Sequence, residues 1–96
     1  MRPHFVLRTT SAFDRMLRKL VKRYPDLFDS YSEVVGIMET DPYNRSGAHA
    51  IKKLVDVPSG EGQYRIRVGR FRFRYDFEGQ IVILKYCSLR REDTYR

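Results

Sequence analysis

A single cysteine, Cys87, stands in this chain of 96 residues, so no internal disulfide can form and nothing resembles a zinc cluster. Long apolar runs are missing too. The longest aliphatic run, Ile81 to Leu84, falls far short of a membrane span. Met1 to Thr10 lacks the apolar core of a secretion signal, and a cytoplasmic protein with no membrane partner is expected. His4 and His49 have no partner at metal-ligand spacing, so they read as incidental and no metal site is proposed. Gly60-Glu61-Gly62 is not followed by a helix start and fails the test for a dinucleotide loop. No cofactor is expected. Repeats, low-complexity tracts and interdomain linkers are likewise lacking, which leaves one domain over residues 1–96.

What the chain does have is positive charge, unevenly placed. The net charge is +7; residues 1–48 carry eight Lys/Arg against six Asp/Glu, and residues 49–96 eleven against six. Such an excess points to nucleic acid or an acidic protein. It is densest in Tyr64-Arg-Ile-Arg-Val-Gly-Arg-Phe-Arg-Phe-Arg-Tyr75, which alternates at period two and contains no acid. A two-residue turn at Gly69-Arg70 sets Val68 against Phe71, Arg67 against Arg72 and Arg65 against Arg74. Tyr64, Ile66, Val68, Phe71, Phe73 and Tyr75 then share one face, and four arginines share the other. Like charges directly across a strand pair are destabilising, so this face makes sense if a polyanion lies on it. Arginine is also the side chain suited to bidentate phosphate contacts.

Glu78-Gly79 reads as a second tight turn into Gln80–Cys87. Counting back from it sets Val82 against Tyr75, Leu84 against Phe73 and Tyr86 against Phe71. Lys85 then falls beside Arg72 and completes a row with Arg67, while Ile83 lies beside Arg74 and Cys87 falls on the arginine face as a filler. Upstream, His4–Arg8 is a short strand. Thr10 or Ser11 caps a helix with Phe13, Met16, Leu17, Leu20, Val21 and Tyr24 on its apolar side. Pro25 stops it. Asp26 opens a second helix, with Leu27, Phe28, Tyr31, Val34, Val35 and Met38 along its stripe, ending at Asp41-Pro42. A loop over 43–50, a strand over Ile51–Val55 and a flexible connection complete the chain. The class is α+β: an N-terminal strand, an antiparallel helical hairpin, then an antiparallel β-meander with the helices packed on one face.

This order resembles the RelE/ParE family of toxins from toxin–antitoxin pairs. The residues that carry the resemblance are the hairpin ending at Asp41-Pro42, Lys53-Leu54 before a glycine-containing loop, Tyr64-Arg-Ile-Arg-Val-Gly, Phe71-Arg72-Phe-x-Tyr75, and Arg90-Arg91 followed by Tyr95. It covers essentially the whole chain. What it implies is a RelE-like fold and a metal-independent endoribonuclease that cleaves mRNA at the ribosome and is silenced by a small acidic antitoxin. The resemblance carries catalytic roles onto Arg65, Arg67 and Arg72 on the strands, and onto Arg90, Arg91 and Tyr95 in the tail. Lys52, Lys53, Arg70, Arg74 and Lys85 form the wider RNA-binding set. Some relatives have lysines where Arg65 and Arg67 stand and others a tail histidine; both are absent here. Gyrase-directed members share the fold without the basic constellation, and a non-catalytic RNA-binding module is a third reading.

RNA cleavage of this kind needs a base for the 2′-OH proton, cations over the phosphorus and an acid for the 5′-oxygen. Arginine fills the second role and is a poor proton carrier. Tyr95, its phenol pulled toward the phenolate by neighbouring arginines, is one candidate carrier, and Lys85 is the other.

Overall fold

The computed structural model describes residues 5–89. The elements run β1 (Val6–Thr9), α1 (Ser11–Arg23), α2 (Leu27–Thr40), β2 (Ala50–Lys53), β3 (Tyr64–Val68), β4 (Phe71–Glu78) and β5 (Ile81–Leu89). They build one five-stranded sheet in the order β1-β5-β4-β3-β2. From β2 to β5 the strands form the expected antiparallel meander, while β1 adds to the far edge parallel to β5. Both helices cover one face. Phe13, Leu27, Val34, Ile37 and Met38 pack there against Ile66, Phe71, Phe73, Tyr75, Val82, Leu84 and Cys87.

Local chemistry explains the helix ends. Thr10 caps α1, its Oγ1 accepting from the Phe13 N–H at 3.0 Å. Lys22 and Arg23 close the last turn, where cations suit the helix dipole. Asp26 precedes α2 in a helical conformation and gives it no side-chain cap, because Arg70 takes its carboxylate through two hydrogen bonds of 2.9 Å. The α2 stripe departs from expectation at one edge: Ile37 is buried and Phe28 is 62% exposed. Phe28 lies ~100° around the turn from Leu27, off the line of Leu27, Val34 and Met38. Beneath the sheet, the buried Tyr75 hydroxyl donates to the Pro42 carbonyl at 2.8 Å, fixing the corner after α2.

The β3–β4 hairpin has the anticipated register at all five pairs from Val68/Phe71 to Tyr64/Tyr75. The next hairpin corrects the sequence reading. Its turn is Gly79-Gln80, with Glu78 paired to Ile81, so Phe77 opposes Val82 and Tyr75 opposes Leu84. The reason is backbone conformation. Gly79 has φ +63° at the first loop position, as does Gly69 at +61° in the preceding hairpin. A turn at Glu78-Gly79 puts glutamate where glycine is favoured.

A β-bulge then shifts the register again between Tyr75 and Arg74. Lys85 is the extra residue. Beyond it Arg74 opposes Tyr86, Phe73 opposes Cys87 and Arg72 opposes Ser88. Three expectations fall with the shifted turn and the bulge together. Lys85 is not beside Arg72, so the Arg67–Arg72–Lys85 row does not form. Ile83 pairs with Asp76 and not with Arg74. Tyr86 and Cys87 exchange faces: Cys87 is buried against the helices, and Tyr86 turns outward.

Candidate nucleic-acid interface

On the face away from the helices two rows cross the sheet. Ala50, Arg67, Arg72 and Ser88 form one, and Lys52, Arg65, Arg74 and Tyr86 the other. Adjacent strands lie ~4.8 Å apart, so each row holds its cations at close quarters. Arg67 is exposed, while Arg65 and Arg72 are half-buried with their Nε atoms beneath the surface. A guanidinium held this way is presented in a limited set of orientations, and that preorganisation is what charge stabilisation in a reaction requires.

The lower end of the same face is built differently. Arg74 donates from Nε to the Gly62 carbonyl at 2.9 Å and from a terminal nitrogen to the Glu61 carbonyl at 2.6 Å. Next to it Asp76, buried, accepts from the Gly62 N–H at 2.7 Å and the Gln63 N–H at 2.9 Å. The β2–β3 connection is thereby clamped onto β4. Gly62 is required there: its φ is +78°, and a Cβ would lie 3.0 Å from the Arg74 Cβ. Arg74 also sets its guanidinium carbon 4.7 Å from the centre of the Tyr86 ring. Asp76 is the acid that an acid-free reading of residues 64–75 stops just short of, and its charge is spent on two backbone amides.

Other anticipated residues lie elsewhere. Lys53 pairs with Tyr64 and places its ammonium 5.9 Å from that ring, away from the arginine rows. Arg70 sits in the β3–β4 turn, bridged to Asp26 and 4.9 Å from the Tyr24 ring. Its hydrogen bond to Asp26 is the main cause that lowers the aspartate's pKa. Lys85 occupies the bulge. Arg90, Arg91 and Tyr95 lie outside the described residues. Arg8, not anticipated, stands opposite Ile83 at the β1 edge of the face away from the helices.

Among the described residues no three His, Cys, Asp or Glu side chains group as a metal site. His49 lies 3.5 Å from Asp41, whose carboxylate is held below the usual range chiefly by the Ser46 hydroxyl. That pair organises the 41–49 loop. Burial pushes the Cys87 thiol up to about 12, so it is no nucleophile. No helix among the described residues is long and apolar enough to cross a membrane. Besides Arg8, sequence reasoning missed Tyr86 and Asp76 on this face. Tyr86 was hidden by the bulge, and Asp76 by its place one residue beyond the arginine stretch.

Comparison with solved structures decides the fold. The toxin–antitoxin complex RelE–RelB from the archaeon Pyrococcus horikoshii OT3 superposes with a TM-score of 0.65 at 18% identity, over 93% of this chain and 98% of that one. The chain has the RelE fold. RelBE2 from Mycobacterium tuberculosis gives 0.55 at 21% identity over 92% and 99% of the two chains. RelB–RelE from Methanococcus jannaschii gives 0.53 at 18% identity over 93% and 99%. No family model matches the sequence, and no curated protein is significantly similar to it. The RelE resemblance read from the sequence and the α+β architecture agree with these superpositions.

Proposed function

We propose that this protein is the toxin of a toxin–antitoxin pair and acts as a metal-independent endoribonuclease on mRNA at the ribosome, in the cytoplasm. The observation that carries the reading is the Arg65/Arg67/Arg72 group. Arg67 stands directly across from Arg72, with Arg65 in the adjoining row, on the sheet face away from the helices, and guanidinium groups gathered this way suit a phosphate backbone. In the proposed reaction the 2′-oxygen attacks the adjacent phosphorus and the bond to the 5′-oxygen breaks. The products are a 2′,3′-cyclic phosphate and a 5′-hydroxyl end. Arg72, in the middle of its row, stabilises the charge that gathers on the phosphoryl oxygens, assisted by Arg65 and Arg67. Lys52 and Lys85 steer the strand. Tyr95 or Lys85 carries the protons, and Arg90 and Arg91 act beside Tyr95.

The proposed partner is a small acidic antitoxin, suited to the net charge of +7. The neighbouring structures support this, since each is a RelE-type toxin bound to its antitoxin. Primer extension on mRNA from cells in which the protein is induced tests the reading. Discrete cuts within translated codons are expected. Intact mRNA with double-strand DNA breaks overturns it in favour of gyrase, and intact mRNA with RNA still bound reduces the protein to a binding module.

A further inference from the structure

We infer that Tyr86, backed by Arg74, is a stacking platform for one nucleobase of the bound RNA; this rests on the endoribonuclease reading and adds to it a base-contacting subsite. Three features of the sheet carry it. First, the bulge at Lys85 turns Tyr86 out of the core, where strict alternation from Leu84 would have kept it, and onto the arginine face. Bulges re-aim side chains in this way, often beside functional sites. Second, Tyr86 keeps 37% of its surface exposed, although an aromatic ring of that size is a large apolar area to leave in water. Third, Arg74 is tied to the Glu61 and Gly62 carbonyls, so the cation lying 4.7 Å from the ring centre is fixed in place. A flat aromatic ring beside a flat, immobilised guanidinium is the surface on which unstacked RNA bases settle.

Placement fits the same reading. Tyr86 is directly across from Arg74, and Arg74 is two residues along β4 from Arg72. Diagonal neighbours of this kind lie ~7–8 Å apart. A phosphate on Arg72 therefore has the base of a neighbouring nucleotide within reach of the platform. The cationic rows hold backbone and carry no sequence information; the platform is where a base is felt.

The chain contains no tryptophan, so Tyr86→Trp introduces its sole indole. The probe is a short single-stranded RNA of mixed sequence, together with a set in which one position at a time is abasic. Indole emission is expected to quench on binding, and one abasic position is expected to abolish the quench. Tyr86→Leu should weaken binding about 5- to 150-fold, the scale of one stacked base, and leave the dependence on salt unchanged because no charge is removed. Tyr86→Phe should bind as wild type. Tyr86→Leu binding as wild type, or a loss that every abasic position shares equally, overturns the platform; the second outcome would make Tyr86 only a prop for Arg74. If wild type binds RNA in a salt-dependent manner, these failures leave the endoribonuclease reading standing. If wild type binds no RNA, both fall.

Discussion

The molecule carries cations on two surfaces, and they are built in opposite ways. On α1, Arg15, Arg18, Lys19, Lys22 and Arg23 are all exposed, on the side of the helix away from Phe13, with Lys22 and Arg23 where the dipole favours them. Folding alone accounts for that face, since an amphipathic helix puts its polar side in water. On the sheet, Arg65 opposes Arg74 and Arg67 opposes Arg72, pairs that repel, and two of these side chains are sunk to their Nε atoms. Number of charges does not separate the two surfaces. Arrangement does: the sheet sets arginines directly across from one another, which suits a polyanionic ligand, whereas the helix spreads its cations along a solvated side.

The largest expected effect comes from removing that arrangement at its centre. Arg72→Ala should lower RNA cleavage by about 100-fold or more, the scale for one preorganised donor, with the far-UV circular dichroism spectrum unchanged. An undiminished rate in the folded variant makes the sheet cations no different from those on α1. At the other end of the same face, Asp76→Ala should destabilise the fold by about 2–3 kcal/mol in urea unfolding, since it strips a charged acceptor from the buried Gly62 amide and from Gln63. A stability change near zero there would mean that the clamp on the β2–β3 connection is not structural.

Acid sharpens the contrast from the helical side. The pKa of Asp26 is lowered mainly by the hydrogen bond from Arg70, and that of Asp41 mainly by the one from Ser46. Groups with depressed folded values stabilise above their unfolded pKa, and the contribution is lost as pH falls through the folded value. Stability should therefore decline below about pH 4, and Asp26→Asn should flatten part of that decline. An acid limb identical in Asp26→Asn would remove the bridge to Arg70 from the account. The smallest effect is expected on α1: Lys19→Gln with Lys22→Gln should change RNA affinity by no more than about 2–3-fold, as distant exposed charges do when screened. A large loss there would move the interface to the helix.

Much of this was legible from residues alone. The β3–β4 register was readable because alternation and a glycine-headed turn agree from Tyr64 to Tyr75. β5 was not. Ile81-Val-Ile-Leu84 is apolar on both faces, so its phase is silent, and a one-residue bulge at Lys85 leaves no mark in the pattern. Of the candidate site, the placement of Arg65, Arg67 and Arg72 on one sheet face was legible. Arg70 and Arg74 were read into the wider RNA-binding set, and their partners, Asp26 and the Gly62 carbonyl, come from distant segments that only the fold brings near.

The central claim is that RNA is held by the sheet face and not by α1, and the salt dependence of binding tests it most directly. Affinity for single-stranded RNA should be measured over a salt series for wild type, for Arg67→Gln with Arg72→Gln, and for Lys19→Gln with Lys22→Gln. Each phosphate contact contributes ~0.7 to the slope of log affinity against log salt on a single strand. The account predicts a slope shallower by about 1.4 in the sheet variant and unchanged in the helix variant. A slope unchanged in the sheet variant and reduced in the helix variant would contradict it.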